Sequence, residues 1–103
     1  MNAKTELLEF LEDKPTVAAA VVSFGVVYDE ENLERFVLPL NYTDDHRWDF
    51  FDSLDFEYDD GYGTQMLAGT IWFTDGTWAQ RGEYDGSEWW EYCKCPELVK
   101  EVM

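Results

Sequence analysis

The sequence predicts an α+β fold, in which a mainly antiparallel sheet of about five strands packs against one helix, with short helices at both chain ends. The stretch 69–92 carries two Asp-Gly pairs between aromatic segments, a pattern typical of a three-stranded meander with tight turns. Two earlier segments rich in Val and Phe predict the other strands. The length of 103 residues fits a single domain, 1–103.

Both ends of the chain are predicted to be helical. In residues 3–13, Leu7, Leu8 and Leu11 fall on one helical face, and the acids fall largely on the other. The Lys-Pro pair that follows ends this helix, because a residue before proline avoids helical backbone angles. Residues 96–103, PELVKEVM, predict a short C-terminal helix that docks on the core.

Two segments after the first helix are predicted to form a β-hairpin. Residues 16–29 are rich in Val, which favours a strand, although three consecutive Ala leave a buried helix as the alternative. The segment is apolar at nearly every position, which predicts burial on both faces, with Gly25 marking a bulge. Residues 33–39 place Phe36 and Leu38 on one face, and their final proline indicates a strand near a sheet edge.

A further helix is predicted over 43–56. Thr43 is a suitable N-cap, and the acids after it complement the positive end of the helix dipole. Trp48, Phe51 and Leu54 recur at helical spacing and are expected to pack on the sheet. Acids fall along the other side of the helix, where like charges slightly destabilise it: Asp45, Asp49 and Asp52.

The register of the two C-terminal hairpins depends on the length of their loops. Two-residue turns place Phe73 opposite Trp78, whereas a three-residue loop with Gly in the left-handed region places Trp72 there. In the second hairpin, a two-residue turn sets Glu83 opposite Glu88, which is unfavourable because the charges are alike. The sequence leaves both registers open.

Both faces of the meander are predicted to be aromatic. With two-residue turns Arg81 lies opposite Trp90, where its guanidinium can contact the indole. One interpretation of the aromatics is core and cross-strand packing. The other is a half-exposed platform for a partner or a sugar, for which Trp89 and Trp90 are the candidates.

Charge is the unusual quantity of this chain, with 23 acids against 7 Lys and Arg and a formal net charge of −16. Such an excess repels itself and weakens the compact state. Nucleic acid is a poor direct partner because its phosphates would be repelled. A basic protein surface or cations would be attracted instead.

The densest acidic segment lies between residues 44 and 60, where Arg47 is the only full base. It comprises the outward side of the predicted helix over 43–56 and the loop that follows. Carboxylates in this arrangement are suited to meet a basic surface. The expected partner-binding residues are therefore Asp44, Asp45, Asp49, Asp52, Asp55, Glu57, Asp59 and Asp60.

No catalytic motif and no cofactor motif appears in the sequence, so neither an enzymatic activity nor a cofactor is expected. Asp55, Glu57 and Asp59 alternate like the first ligands of an EF-hand loop. The match then fails, because Gly61 falls one place late and Met66 stands where the final Glu belongs. No metal site is therefore expected.

Several features bear on the compartment in which the protein works. Cys93 and Cys95 are expected to stay reduced, since a disulfide across one residue is strained, and His46 alone cannot complete a zinc site. The longest charge-free run, 16–28, is shorter than the roughly 20 apolar residues of a membrane span. The acidic segment before it differs from the basic start of a signal sequence, which predicts a cytoplasmic location and no membrane partner.

Three stretches, LDFEYDDGYG, GTIWFTDGTW and RGEYDGSEWWE, with the Cys-Pro pair after them, resemble small uncharacterised acidic proteins of tailed phages and prophages. The resemblance covers about residues 54–96 and implies a protein directed at a component of the host cell. It implies no activity and no functional residues. In size and charge the chain is also similar to phage inhibitors that mimic DNA against restriction or CRISPR systems, which is an analogy and not a family match.

Two classes of function compete. The first is a non-enzymatic acidic binding protein, an inhibitor of the DNA-mimic type that occupies a basic nucleic-acid-binding surface of a host protein. An immunity protein that blocks a basic nuclease belongs to the same class. The second is a carbohydrate-binding or hydrolytic protein that uses surface aromatics and paired carboxylates. The first predicts binding that weakens with salt, and the second predicts a small ligand.

Overall fold

The computed structural model describes residues 1–25, 33–58, 66–84 and 87–93. Its elements in chain order are α1 (Ala3–Leu11), β1 (Val17–Phe24), β2 (Glu34–Leu38), α2 (Asp44–Ser53), β3 (Leu67–Phe73), β4 (Trp78–Tyr84) and β5 (Ser87–Cys93). The strands form one five-stranded antiparallel sheet in the order β2-β1-β3-β4-β5. The α+β prediction is therefore confirmed, while the expected C-terminal helix, 96–103, lies outside the described residues.

Helix α1 begins at an asparagine cap and ties the start of the chain to the segment after α2. Asn2 Oδ1 accepts a backbone amide of the first helical turn at 2.9 Å. The Ala3 amide donates to the Phe56 carbonyl, also at 2.9 Å. Leu7 is buried as predicted, whereas Leu8 is exposed because it points away from the sheet. Helix α1 thus contributes a narrower apolar stripe than its three leucines suggest.

Strand β1 is a strand and not the alternative helix, and it pairs with β2 and β3 on its two sides. Its burial is one-sided, because Ala20 and Val22 are buried while Val21 between them is only half-buried. The prediction of burial on both faces was wrong, since both described helices pack on the same face of the sheet. The irregularity expected at Gly25 lies instead before Ala19, near the start of the strand.

Strand β2 forms the predicted hairpin partner of β1 and is an edge strand of the sheet. Phe36 and Leu38 point toward the core, as their spacing predicts. Val37, between them, points to the other face and is 54% exposed. The proline after β2 agrees with its edge position, because proline cannot donate a ladder hydrogen bond.

The first C-terminal hairpin takes the three-residue-loop alternative, in which Trp72 pairs with Trp78. Asp75 Oδ1 accepts the Thr77 amide at 3.0 Å and closes the turn. Gly76 follows with φ of 89°, an angle that glycine adopts without a steric penalty. The register that places Phe73 opposite Trp78 was therefore wrong.

The second C-terminal hairpin takes the register of a two-residue turn, with Glu83 opposite Glu88. This opposition of like charges is relieved because the two carboxylates lie in different environments. Glu83 is exposed, whereas Glu88 is buried and has Arg81 Nη2 at 3.0 Å from its Oε1. The repulsion that disfavours this register is thus removed by the contact between Arg81 and Glu88. The alternation of side chains along the strands does not predict this contact.

The sheet has a core face, on which both helices pack, and an open face. Phe73 points to the core face and Trp72 to the open face, where Trp72 lies beside Trp78. The core joins Leu7 of α1 and Phe51 of α2 to buried side chains of the sheet. No described helix or strand covers the open face, whose side chains include Ala19, Val21, Arg35, Val37, Thr70, Trp72, Trp78, Gln80, Trp89 and Glu91.

Candidate partner-binding surface

The start of α2 is built from Thr43, as predicted. The Thr43 hydroxyl accepts the His46 amide at 3.2 Å, and His46 Nδ1 accepts the Thr43 amide at 3.2 Å, so the two residues form a capping box. Asp44 and Asp45 occupy the first turn, where the helix dipole favours negative charge. The single histidine is exposed and serves to cap a helix.

The inner side of α2 packs on the core through Phe50 and Phe51, with Leu54 directly after the helix. Arg47 lies on the same side, with its guanidinium carbon 5.0 Å from the centre of the Phe51 ring. Residues three and four apart share a helix face, so these four side chains form one inward arc. The opposite arc of α2 must face solvent.

Trp48 lies on the outer surface, with 66% of its area exposed, and the prediction that it packs on the sheet was wrong. Residues three apart drift by about 60° around a helix at each step. Trp48 is therefore about 120° from Leu54 and cannot share its arc. The inward arc is completed instead by Phe50. The buried side of α2 is identified from the sequence by the arc of positions 47, 50, 51 and 54. A spacing of three residues alone does not identify it.

The outer arc of α2 combines several carboxylates with this one exposed indole. Trp48 is three or four residues from Asp44, Asp45 and Asp52, so carboxylates surround it on the helix surface. Asp49 extends the negative surface on the side away from Asp44. All these side chains are exposed. We call this surface the acidic helix face, formed by Asp44, Asp45, Trp48, Asp49 and Asp52.

Two further predicted acids, Asp55 and Glu57, are exposed but already have partners at the start of the chain. Asp55 Oδ1 accepts from Asn2 Nδ2 at 2.9 Å. Glu57 Oε2 lies 3.3 Å from the Met1 ammonium, an exposed ion pair that contributes little to stability. Both carboxylates continue the negative surface beyond α2. The last two predicted acids lie outside the described residues: Asp59 and Asp60.

The two aromatic candidates lie on opposite faces of β5. Trp89 is 40% exposed on the open face and lies over Gly82, where an added Cβ would come within 2.9 Å of the indole. Trp90 is 7% exposed on the core face, with the Arg81 guanidinium 5.2 Å from its ring centre. The contact predicted between Arg81 and Trp90 is confirmed. Trp90 is a core residue and not a surface candidate, and only Trp89 is accessible to a partner.

A buried ionic cluster that the sequence does not predict lies on the core face, over the last two strands. It consists of Glu6, Tyr58, Arg81 and Glu88. The Arg81 side chain is only 1% exposed, with Nη2 at 3.0 Å from Glu88 and Nη1 at 3.1 Å from Glu6. The Tyr58 hydroxyl donates to Glu6 and accepts from Arg81. Its members come from separate parts of the chain, so no local pattern predicts it.

The Glu88 carboxylate also accepts the amides of Met66 at 2.8 Å and Leu67 at 3.0 Å. A buried carboxylate is tolerated only when it is paired and hydrogen-bonded, and here both conditions are met. Burial, and then the hydrogen bond to Glu6, raise the pKa of Tyr58 far above its ordinary value. The cluster therefore holds α1, the segment after α2, and the last two strands together.

Four of the surface cavities formed by described residues are each lined by at most one carboxylate. That carboxylate is Asp49, beside His46 in a cavity of about 250 Å³. Glycoside hydrolysis requires two facing carboxylates, and these cavities do not supply them. In the same part of the chain, no group of three or more His, Cys, Asp or Glu side chains is placed to hold a metal ion.

Comparisons of the chain with protein-family models, with curated proteins and with solved structures gave no match. Within the described ranges, no helix has the length and apolar character needed to cross a membrane.

Proposed function

We propose that this chain is a non-enzymatic acidic binding protein, an inhibitor that places its acidic helix face against the basic nucleic-acid-binding surface of another protein in the host cytoplasm. The observation that carries the proposal is the outward direction of the α2 carboxylates in a chain of net charge −16. Exposed like charges at this density are unfavourable for folding. Binding to a basic surface gives them a role that folding does not.

The charge density of α2 is close to that of a DNA strand. The helix has 10 residues and so spans about 15 Å. Its four exposed acids thus present about one negative charge per 4 Å. Each strand of B-DNA carries one phosphate per about 3.4 Å of helix axis. A protein groove that binds phosphates therefore meets a comparable row of charges on α2.

Trp48 supplies apolar binding energy, which the carboxylates do not provide. Charged groups mainly raise the association rate and set the orientation, while buried aromatic side chains carry most of the binding energy in protein interfaces. Trp48 is already 66% exposed, so it loses little intramolecular packing when it inserts into a partner. We expect it to be the anchor of the interface, with the acids around it.

The test neutralises three acids of α2 together, in the variant Asp45→Asn, Asp49→Asn and Asp52→Asn. The melting temperature should stay the same or rise slightly, because each like-charge pair removed destabilised the helix by about 0.2–0.5 kcal/mol. Capture of basic proteins from a bacterial lysate at physiological salt should fall by roughly tenfold or more. Thermal unfolding and quantitative mass spectrometry of the captured proteins measure the two effects.

A matched control removes the same number of charges elsewhere, in the variant Glu9→Gln, Glu12→Gln and Glu34→Gln. All three are exposed: Glu9 lies on α1, Glu12 directly follows α1, and Glu34 lies on β2. The control should retain most of the capture, because it leaves the acidic helix face intact. Equal losses in both variants would show that only net charge matters. Capture by the α2 variant at the level of the parent would exclude the acidic helix face as the interface.

A further inference from the structure

We infer that the open face is a dimer interface, on which a second copy of this chain packs sheet against sheet. Trp72 is 45% exposed on this face, Trp89 40% and Val37 54%. Several large apolar side chains exposed on one face of a single chain mark an interaction site. Antiparallel sheets that bury both faces do so by stacking on a second layer about 10 Å away.

The distribution of charge favours a second copy as the occupant. Two chains of net charge −16 repel each other wherever their acids meet. Among the described strand residues, Glu91 is the only acid that points to the open face. The open face is therefore the surface through which two copies can approach at the lowest electrostatic cost. A dimer of this kind leaves both acidic helix faces on its outside.

One two-fold arrangement also pairs the few charges of this face. The two edge strands are β2, which carries Arg35, and β5, which carries Glu91. A two-fold axis parallel to the strands places β2 of each copy over β5 of the other. The strand registers put the rows of Arg35 and Glu91 two residues apart, which is about 7 Å along the strands. Arg35 of each copy can then reach Glu91 of the other.

The area of the face approaches that of a standard dimer interface. Five strands about 4.8 Å apart and about 20 Å long present a plane of roughly 480 Å². Side-chain relief raises the accessible area above this projection, toward the roughly 800 Å² per partner of a standard interface. The face also contains an apolar recess of about 400 Å³ between Leu40, Trp72 and Ala19. This recess offers room for an apolar side chain of the second copy.

The first test is sedimentation velocity of the unaltered protein over a range of concentrations, at low and at high salt. We expect a dimer that dissociates on dilution and that becomes tighter as salt rises, because salt screens the repulsion between the two chains. Binding through the acidic helix face has the opposite salt dependence. Failure of the dimer inference is therefore distinguishable from failure of the proposed binding through the acidic helix face.

The second test compares two tryptophan variants. Trp72→Gln combined with Trp89→Gln should be monomeric with an unchanged circular dichroism spectrum. Trp48→Gln, which changes an exposed tryptophan on the other side of the molecule, should remain dimeric. Loss of the dimer in Trp48→Gln, with retention in the double variant, would assign the interface to α2 and overturn the inference.

A third measurement needs no substitution and decides the matter if the double variant fails to fold. Isotope-filtered NOEs between a labelled and an unlabelled copy should connect the Trp72 indoles of the two copies, and the Trp89 indole of one copy to β2 of the other. A protein that sediments as a monomer at every concentration and salt, or a dimer without these NOEs, contradicts the inference. A monomer whose tryptophan fluorescence responds to a soluble oligosaccharide such as cellohexaose would assign the face to sugar instead.

Discussion

At the scale of single residues, Trp48 should matter most for partner recognition and little for folding. Its side chain is 66% exposed, so Trp48→Ala should change the free energy of unfolding by no more than about 0.5 kcal/mol. On the proposed function it should weaken binding by about 2 kcal/mol or more, roughly thirtyfold. The measurement uses a partner that the parent protein captures and that is then purified. Titration of the parent and of Trp48→Ala against this partner compares their affinities.

Leu8→Ala is the control for this substitution, because Leu8 is an exposed apolar residue on the other helix. It should leave the affinity unchanged. A Trp48→Ala protein that binds as tightly as Leu8→Ala would remove Trp48 from the interface and leave the carboxylates as the only candidates on α2.

Tyr58 should make the fold sensitive to alkaline pH. Burial, and then the hydrogen bond to Glu6, raise its pKa in the folded protein above the ordinary value of about 10. A raised folded pKa means that the stabilisation is fully present below pH 10 or so and is lost as the pH rises further. In a spectrophotometric titration, one tyrosine should therefore ionise only as the protein unfolds. Tyr58→Phe should remove that late component, and its persistence would show that another tyrosine is responsible.

At the scale of elements, the ionic cluster should be the most sensitive point of the fold. Removing one partner of a buried ion pair leaves an uncompensated charge, which costs about 3–5 kcal/mol. Glu88→Ala removes the acceptor of the Arg81 guanidinium and of two backbone amides. The decrease in the free energy of unfolding should therefore fall in this range. Glu9→Ala, at an exposed site on α1, should change stability by less than about 0.5 kcal/mol. Denaturant unfolding that gives similar values for both variants would exclude a stabilising role for the cluster.

The close approach of β1 and β3 at Gly69 should tolerate no side chain. A Cβ there would lie 2.4 Å from the Val21 carbonyl oxygen, and the backbone has φ of 154°. Gly69→Ala should therefore destabilise the protein by at least about 1–3 kcal/mol. Gly82→Ala should cost less, because its Cβ would meet the Trp89 indole, which can move. Thermal unfolding of the two variants ranks them, and the reverse order would contradict the strand pairing described above.

At the scale of the whole molecule, the sequence predicts the features that depend on neighbours along the chain. The cap at Thr43 and the Asp-Gly turn at 75–76 follow from local chemistry. The strand assignments of β1 and β2 follow from Val content and alternation. The exposure of the acids on α2 follows from helical spacing once one side is known to be buried.

The features that the sequence did not predict depend on contacts between distant segments. The apolar residues of β1 suit burial on either face, so its one-sided burial depends on where the helices pack. The position of Trp48 depends on which arc of α2 meets the sheet. The ionic cluster brings together Glu6, Tyr58 and two residues of the last hairpin, which no local pattern connects. In each case the local sequence fits more than one arrangement, and contacts between distant segments decide which one forms.

The central claim is that the acidic helix face occupies a nucleic-acid-binding surface, and competition with DNA tests it most directly. The parent and the variant Asp45→Asn, Asp49→Asn and Asp52→Asn are each immobilised, loaded with bacterial lysate and eluted with double-stranded DNA at constant salt. We predict that DNA releases from the parent a set of basic nucleic-acid-binding proteins that the variant does not retain. Proteins that stay bound in excess DNA, or that bind parent and variant equally, would contradict the account.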